Sequence, residues 1–396
     1  MSAIAQRRRG GTDEARPYRV IVIGVGGGGG NAVSRMYAQW PDGPDVTAVN
    51  TDAKALAACS APTRVQIGRN LTNGLGAGGD PNVGKLAAED DVDMLRELVS
   101  QADLVFLVTA LGGGTGTGAA PLVARVAREE GALVLCFATL PFEFEGERRR
   151  RQAEDGLRAL RMHADVVISM PNQRLLDSAD GRASLADAFE KADAALGVGI
   201  RALWKLLAQT GIINLDFADL RHLIEHSGGT CAFGYGEATG AGKAAEAVNQ
   251  ILRSPLLDRG ERLGKAGALL ISIVGGPDLT LVEVKNVMSK LGAAAKPDAR
   301  RVMGAAVDET WQNRLAVTVL AAENFEEEEA AAAAPEAEPG LFSKQALGAG
   351  KPVQEDLKFD PVDKGRFKGV DPTVYQGEDL DIPTYIRRRI PLSSER

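Results

Sequence analysis

Two glycine-rich turns constrain this chain more than any other feature of its 396 residues. The first, Gly24-Val25-Gly26-Gly27-Gly28-Gly29-Gly30-Asn31, follows the apolar run Arg19–Gly24 and leads into an amphipathic stretch from about Asn31. That order predicts a buried strand, a tight turn and a helix. Glycine permits positive φ and close backbone approach, and a helix N-terminus offers amides and a positive dipole end to an anion. Residues 24–29 fit G-x-G-x-x-G, which points to a phosphate. Taken alone it points to a dinucleotide, with Asp52 on a ribose. A tight turn without a ligand is the plain alternative.

The second turn, Leu111-Gly112-Gly113-Gly114-Thr115-Gly116-Thr117-Gly118, lies between the expected strand Asp103–Thr109 and a helix from about Ala119. A dinucleotide needs only one such loop. Two of them imply several phosphates gripped from two sides, with threonine hydroxyls adding donors. No G-x-x-x-x-G-K-[ST] occurs, which excludes a P-loop; Gly84-Lys85 and Gly242-Lys243 lack the spacing and the following Ser/Thr. Gly74-Leu75-Gly76-Ala77-Gly78-Gly79 supplies a third flexible backbone segment.

Composition narrows the function classes. With 44% hydrophobic and 25% charged residues the chain can bury a sizeable core. No apolar run approaches the ~20 residues that span a bilayer. The segment Met1–Gly11 has no apolar h-region and is not a secretory signal. A net charge of −7 argues against nucleic acid as a partner. Cys59, Cys136 and Cys231 are far apart and read as reduced, buried thiols. Three histidines argue against a His-rich metal site, and no side-chain metal ligand is assigned.

Alternating β-branched runs and amphipathic stretches from Tyr18 to about Ala322 indicate an α/β protein. Further strands are expected at Val46–Asn50, Ala132–Ala138, Val166–Ser169, Ala268–Val274 and Leu315–Leu320. Helices are expected at Leu220–His226, Gly242–Leu252 and Leu281–Leu291. A long helix, from Ser184 to about Gln209, joins two units. The organisation expected is a disordered arm over 1–17, a nucleotide domain over 18–183, the central helix over 184–210 and a second domain over 211–322. An acidic disordered linker over 323–376 and a partner-binding peptide over 377–396 follow.

VNTD at 49–52, GLGAG at 74–78, GGGTGTG at 112–118, PFEFEG at 141–146 and NLDFADL at 214–220 occur together. On these motifs the chain resembles the tubulin/FtsZ superfamily, in its bacterial cell-division branch, over about 18–322 and again at its last twenty residues. The resemblance implies a Rossmann-like parallel-sheet GTPase domain, a long central helix and a smaller α/β domain with disordered linker and tail. Gly27, Gly28, Gly29, Gly30 and Asn31, with Gly114, Thr115, Gly116 and Thr117, would cradle the phosphates of GTP or GDP. Gly76, Ala77 and Gly78 would close over the γ-phosphate, and Glu145 and Arg149 would contact the ribose. Asp52 and Asn172 belong to the same implied set. Phe189 and Asp193, at i and i+4, would stack on and read guanine. A carboxylate only accepts, and guanine presents two adjacent donors. Adenine would set an acceptor against Asp193 at a cost of ~1–3 kcal/mol.

The resemblance also implies that catalysis is completed between subunits. Asn214, Asp216 and Asp219 would enter the next subunit's site and position the attacking water. Read by themselves, Asp216 and Asp219 are an N-cap and a first-turn residue, and the two readings are compatible. Mg²⁺ would be held mainly by phosphates and water. The implied product is a head-to-tail homopolymer, a cytoplasmic division-ring scaffold at mid-cell. Leu380, Ile382, Pro383, Tyr385 and Ile386 would dock on a membrane tether or regulators, without membrane insertion. Two alternatives stand beside this. One is an NAD-dependent oxidoreductase, for which no catalytic His or Lys constellation is evident. The other is a relative that binds GTP and assembles without hydrolysis.

Overall fold

The computed structural model describes residues 18–40, 43–177, 194, 196–201, 203–205, 213, 216–323, 374–375 and 378–379. The 1–17 arm, Phe189, Asp193, Asn214, most of the linker and the anchors Leu380, Ile382, Pro383, Tyr385 and Ile386 lie outside the described residues. Contacts divide the chain into one unit over 1–331 and another over 332–396. In the latter, Val374–Tyr375 and Glu378–Asp379 pair antiparallel.

The first unit is organised around a six-stranded sheet. β1 (Val20–Val25), β2 (Asp45–Asn50), β3 (Thr63–Gln66), β4 (Leu104–Ala110), β5 (Leu133–Leu140) and β6 (Val166–Pro171) lie in the order β3-β2-β1-β4-β5-β6. Every pairing is parallel. The central strands are buried on both faces, which is why they read as continuous Val/Ile/Leu runs. α1 (Gly26–Gln39) sits on one face, where Val33 and Met36 join one core. α3 (Pro81–Asp90), α4 (Gly114–Glu129) and α5 (Glu147–His163) follow the short α2 (Ala53–Ala58). Val123 of α4 and Leu160 of α5 enter the core on the other face.

The second sheet comprises β7 (Cys231–Thr239), β8 (Ala268–Gly275), β9 (Arg300–Val307) and β10 (Arg314–Ala322) in the order β7-β10-β8-β9. It is mixed, with β8 and β9 parallel and the other pairs antiparallel. α6 (Phe217–Glu225) precedes it. α7 (Lys243–Arg253) and α8 (Leu281–Ala294) contribute Val248, Ile251, Val287 and Leu291 to its own core. Its opposite face shares a core with the first sheet, with Leu196, Ile200 and Leu203 of the central helix packed in it.

Several elements depart from the sequence expectations. The sequence pattern does not predict β3, β7 or β9; β7 carries two glycines and β9 two arginines, so neither shows a clean apolar pattern. α1 and α4 also begin inside the glycine turns, at Gly26 and Gly114, where propensity predicts loop. Each interior glycine costs a helix ~1 kcal/mol against alanine, so packing must compensate. It does so between α3 and α4. A Cβ at Gly118 would run into the Pro81 carbonyl and come within 2.6 Å of the Lys85 nitrogen, and one at Gly84 would strike the Gly114 carbonyl. Gly118→Ala is therefore expected to destabilise by about 1–3 kcal/mol despite alanine's higher helix propensity. Urea unfolding monitored by circular dichroism checks this; an unchanged or raised midpoint would show that the two helices can separate without loss.

Candidate nucleotide site

The strand order reverses between β1 and β4, and α1 and α4 leave those strands to opposite faces of the sheet. A crevice must open at the carboxyl ends of the two strands, the usual ligand position in such sheets. It is a cavity of 660 Å³. Neither α1 nor α4 has a side-chain N-cap bond, so first-turn amides stay available to a ligand. The helices approach closely: a Cβ at Gly26 would lie 2.7 Å from the Gly116 nitrogen.

The structure brings most of the expected residues to this cavity. Gly27, Gly28 and Asn31 line it from α1, and Gly114, Thr115 and Gly116 from α4. Gly76, Ala77 and Gly78 form another wall, with Gly76 and Gly78 at φ 84° and 59°, which only glycine adopts without strain. Asp52, Glu145, Arg149 and Asn172 complete the set. Gly29, Gly30 and Thr117 do not line the cavity. Gly29 is a packing position, where a Cβ would run into the Val108 carbonyl. Thr117 Oγ1 accepts from the Gly112 N–H at 2.8 Å and holds the turn from behind.

Several side chains are already committed. Asp52 caps α2, its Oδ1 accepting from the Lys54 and Ala55 N–H groups at 2.8 and 3.0 Å. Glu145 pairs with Arg149 Nη1 at 2.5 Å and accepts from the Phe142 N–H at 2.9 Å. Asn172 is different. It is buried, it lines the cavity, and its Oδ1 has no hydrogen-bond partner among the described residues. A buried acceptor without a donor is costly, so this atom fits a ligand bearing an N–H or O–H group. Sequence reasoning missed Arg35, which also lines the cavity and lies four residues beyond Asn31 on the same helix face. It missed Leu196 of the central helix as well.

Asp216 and Asp219 are elsewhere. Asp216 is exposed and caps α6, with Oδ1 accepting from the Ala218 N–H at 3.1 Å. The next residue, Phe217, stacks on Tyr18 with ring centroids 4.7 Å apart. Tyr18 precedes β1, whereas the cavity follows it. Asp216 and the cavity thus lie at opposite ends of the sheet, about one strand length or roughly 20 Å apart. Among the described residues no group of three or more His, Cys, Asp or Glu could hold a metal, and no helix is long and apolar enough to cross a membrane.

Fold and cavity together define a Rossmann-like, phosphate-binding α/β protein with a second sheet domain. The family model described as the GTPase domain of the Tubulin/FtsZ family matches residues 19–180, and that of the FtsZ family C-terminal domain matches residues 229–324. An FtsZ dimer from M. jannaschii is similar at 34% identity and TM-score 0.72, covering 81% of this chain and 92% of that one. A tryptophan-to-tyrosine FtsZ mutant from M. jannaschii is similar at 36% identity and TM-score 0.72, covering 77% and 91%. CetZ2 from Haloferax volcanii, a GTPγS-bound protofilament, shares the fold at 23% identity and TM-score 0.64, covering 78% and 94%. The chain belongs to the tubulin/FtsZ family of filament-forming GTPases. That membership carries GTP and GDP binding and GTP hydrolysis as general properties.

The walls of the cavity are tied by one buried bond, Thr51 Oγ1 to Thr115 Oγ1 at 2.6 Å, joining the end of β2 to the first turn of α4. Thr51→Val leaves the Thr115 hydroxyl without this partner. It is expected to cost about 1–2 kcal/mol, read as a shift in urea midpoint.

Proposed function

We propose that this chain is the scaffold of a bacterial cell-division ring: it assembles head to tail on GTP and hydrolyses it across the subunit contact. The observation that carries the reading is the separation of the cavity from Asp216 and Asp219. A subunit offering phosphate-binding amides at one end and a capped pair of acidic residues at the other is incomplete alone, and a second copy stacked end to end completes it. Such a contact is heterologous and propagates as a filament.

In this reading Gly27, Gly28, Asn31 and Gly114–Gly116 hold the phosphates, with Gly76–Gly78 over the γ-phosphate. Glu145 and Arg149 contact the ribose. Asn172 Oδ1 accepts from the nucleotide, and Phe189 and Asp193 read guanine. Asp52 and Glu145, the carboxylates lining the cavity, are engaged in the cap and the ion pair described above. Phosphates and water are thus left as the main ligands of Mg²⁺, which would neutralise charge on the transferred group. The neighbour's Asp216 and Asp219, with Asn214, orient a water whose oxygen attacks the γ-phosphorus as the bond to the β-bridging oxygen breaks. The water's proton leaves toward the carboxylates. Loss of the γ-phosphate weakens the contact and lets the filament turn over. The tail residues Leu380, Ile382, Pro383, Tyr385 and Ile386 tether the polymer through a partner at the cytoplasmic face of the membrane.

GTP turnover against protein concentration, with sedimentation in parallel, tests the reading. The rate per subunit should be near zero when dilute and rise with assembly. A constant rate down to concentrations where nothing sediments sinks the cross-subunit site, and sedimentation without turnover favours a non-hydrolysing relative. Asp216→Ala should abolish turnover while GTP binding stays within about twofold, since truncating one catalytic group spares remote binding contacts.

A further inference from the structure

Asp216 and Asp219 must be held accurately if they are to act in another subunit's site. The chain that leads to them is fixed at two points, and both lie at the end of β9. Ile213, three residues before Asp216, exchanges backbone bonds with Ala305: its N–H donates to the Ala305 carbonyl at 3.1 Å, and the Ala305 N–H donates back at 2.9 Å. Three residues span at most about 11 Å, so this bridge limits where Asp216 can go. Upstream, Lys205 Nζ on the central helix pairs with Asp308 Oδ2, and both side chains are only 11% exposed. Ala305 and Asp308 are three residues apart.

Asp308, the residue immediately after β9, is itself fixed from several sides. Its N–H donates to the Gly275 carbonyl at 2.8 Å, at the end of β8. Its Oδ1 accepts from the Thr310 N–H and hydroxyl at 3.1 and 2.5 Å, which leaves Oδ2 for Lys205. Burial opposes its charge, but Lys205 and Thr310 outweigh burial and hold the carboxyl down at about 2. The Trp311 ring lies 5.8 Å from Lys205 Nζ and 4.2 Å from the Arg314 guanidinium carbon. Arg314 in turn pairs with Glu237 of β7 at 2.5 Å. The central helix thus meets the nucleotide cavity at Leu196 and this junction nine residues on, about 13.5 Å along its axis.

We propose that the end of β9, residues 305–308, is the template that positions Asp216 and Asp219, and that Lys205 and Asp308 are positioning residues for hydrolysis in the neighbouring subunit. This rests on the cross-subunit reading above. Lys205 and Asp308 touch no nucleotide; they set the register of the central helix on the second sheet, and Ile213–Ala305 sets the loop that follows. Misplacing a reacting group by about 1 Å costs up to 100-fold, so loosening one of two anchors should be read in turnover before binding.

The experiment compares the wild-type chain with Lys205→Met, Asp308→Asn and Lys205→Arg, all full length. Fluorescent GDP binding to unassembled protein, mass sedimented with GTP, and phosphate released per sedimented subunit are measured together. Lys205→Met and Asp308→Asn should bind nucleotide within about twofold of wild type yet release phosphate about tenfold more slowly per sedimented subunit. Lys205→Arg keeps the charge and should recover most of the rate. Wild-type turnover by both neutral variants overturns the template, and so does a Lys205→Arg as slow as Lys205→Met. Should Lys205→Met fail to fold by circular dichroism, Asp308→Asn, which keeps the bonds from Thr310, carries the comparison. Failure of the underlying reading looks different: wild-type turnover then does not respond to dilution.

Discussion

The missing side chains of α1 and α4 are the constraint on which the site depends. Two helices start at neighbouring strand ends and point their first amides into one crevice, which requires backbone to meet backbone. Gly26 approaches Gly116, Gly29 packs under the Val108 carbonyl, and Gly118 lies on the Pro81 carbonyl. The glycines serve two purposes that pull on different positions. Gly27 and Gly113 face open space and leave room for a ligand, whereas Gly29 and Gly118 let the helices seat. A chain with alanine at the second group would not close the crevice. A chain with alanine at the first would close it and crowd its occupant.

This division also explains what was legible in the sequence. The apolar strands and the caps are local features, so strand β1 and the N-cap role of Asp216 could be read directly, whereas the glycines expected as a turn after β1 form the first turns of α1. Which glycine faces the ligand is a tertiary fact. Gly29 and Gly30 are sequence neighbours of Gly28, yet only Gly28 of the three reaches the cavity. Thr117 likewise looks like a donor in the motif and is spent on the Gly112 amide. β7 and β9 were hidden because Gly234 and Gly236 replace apolar side chains where β7 packs on α7, and β9 opens on Arg300 and Arg301, so neither strand reads as an apolar run. Arg35 was recoverable from helical spacing alone, since it follows Asn31 by one turn.

Electrostatics are disposed with the same economy. The carboxylates at the cavity, Asp52 and Glu145, are bound to amides or to Arg149, so the crevice presents mainly donors to an anion. The unpaired exception is an acceptor, Asn172 Oδ1, and it is an amide oxygen without charge. A neutral acceptor among donors suits a ligand that is anionic at one end and carries N–H groups at the other, as a guanine nucleotide does.

The second sheet has a clear physical task once the distance between the two ends is considered. A six-stranded parallel sheet can build a phosphate crevice alone, because everything the crevice needs lies at one edge. In the proposed reading an acidic pair must also be held rigidly at the opposite end, where the strands of that sheet begin. β9 supplies that rigidity from outside: Ala305 holds Ile213, and Asp308 holds Lys205. Leu196 of the central helix lines the crevice and Lys205 of the same helix pairs with Asp308, so one packed element touches both the crevice and this anchor. In the proposed head-to-tail reading each subunit offers its nucleotide to one neighbour and its acidic end to the other, and a single rigid body with two such ends suits that arrangement.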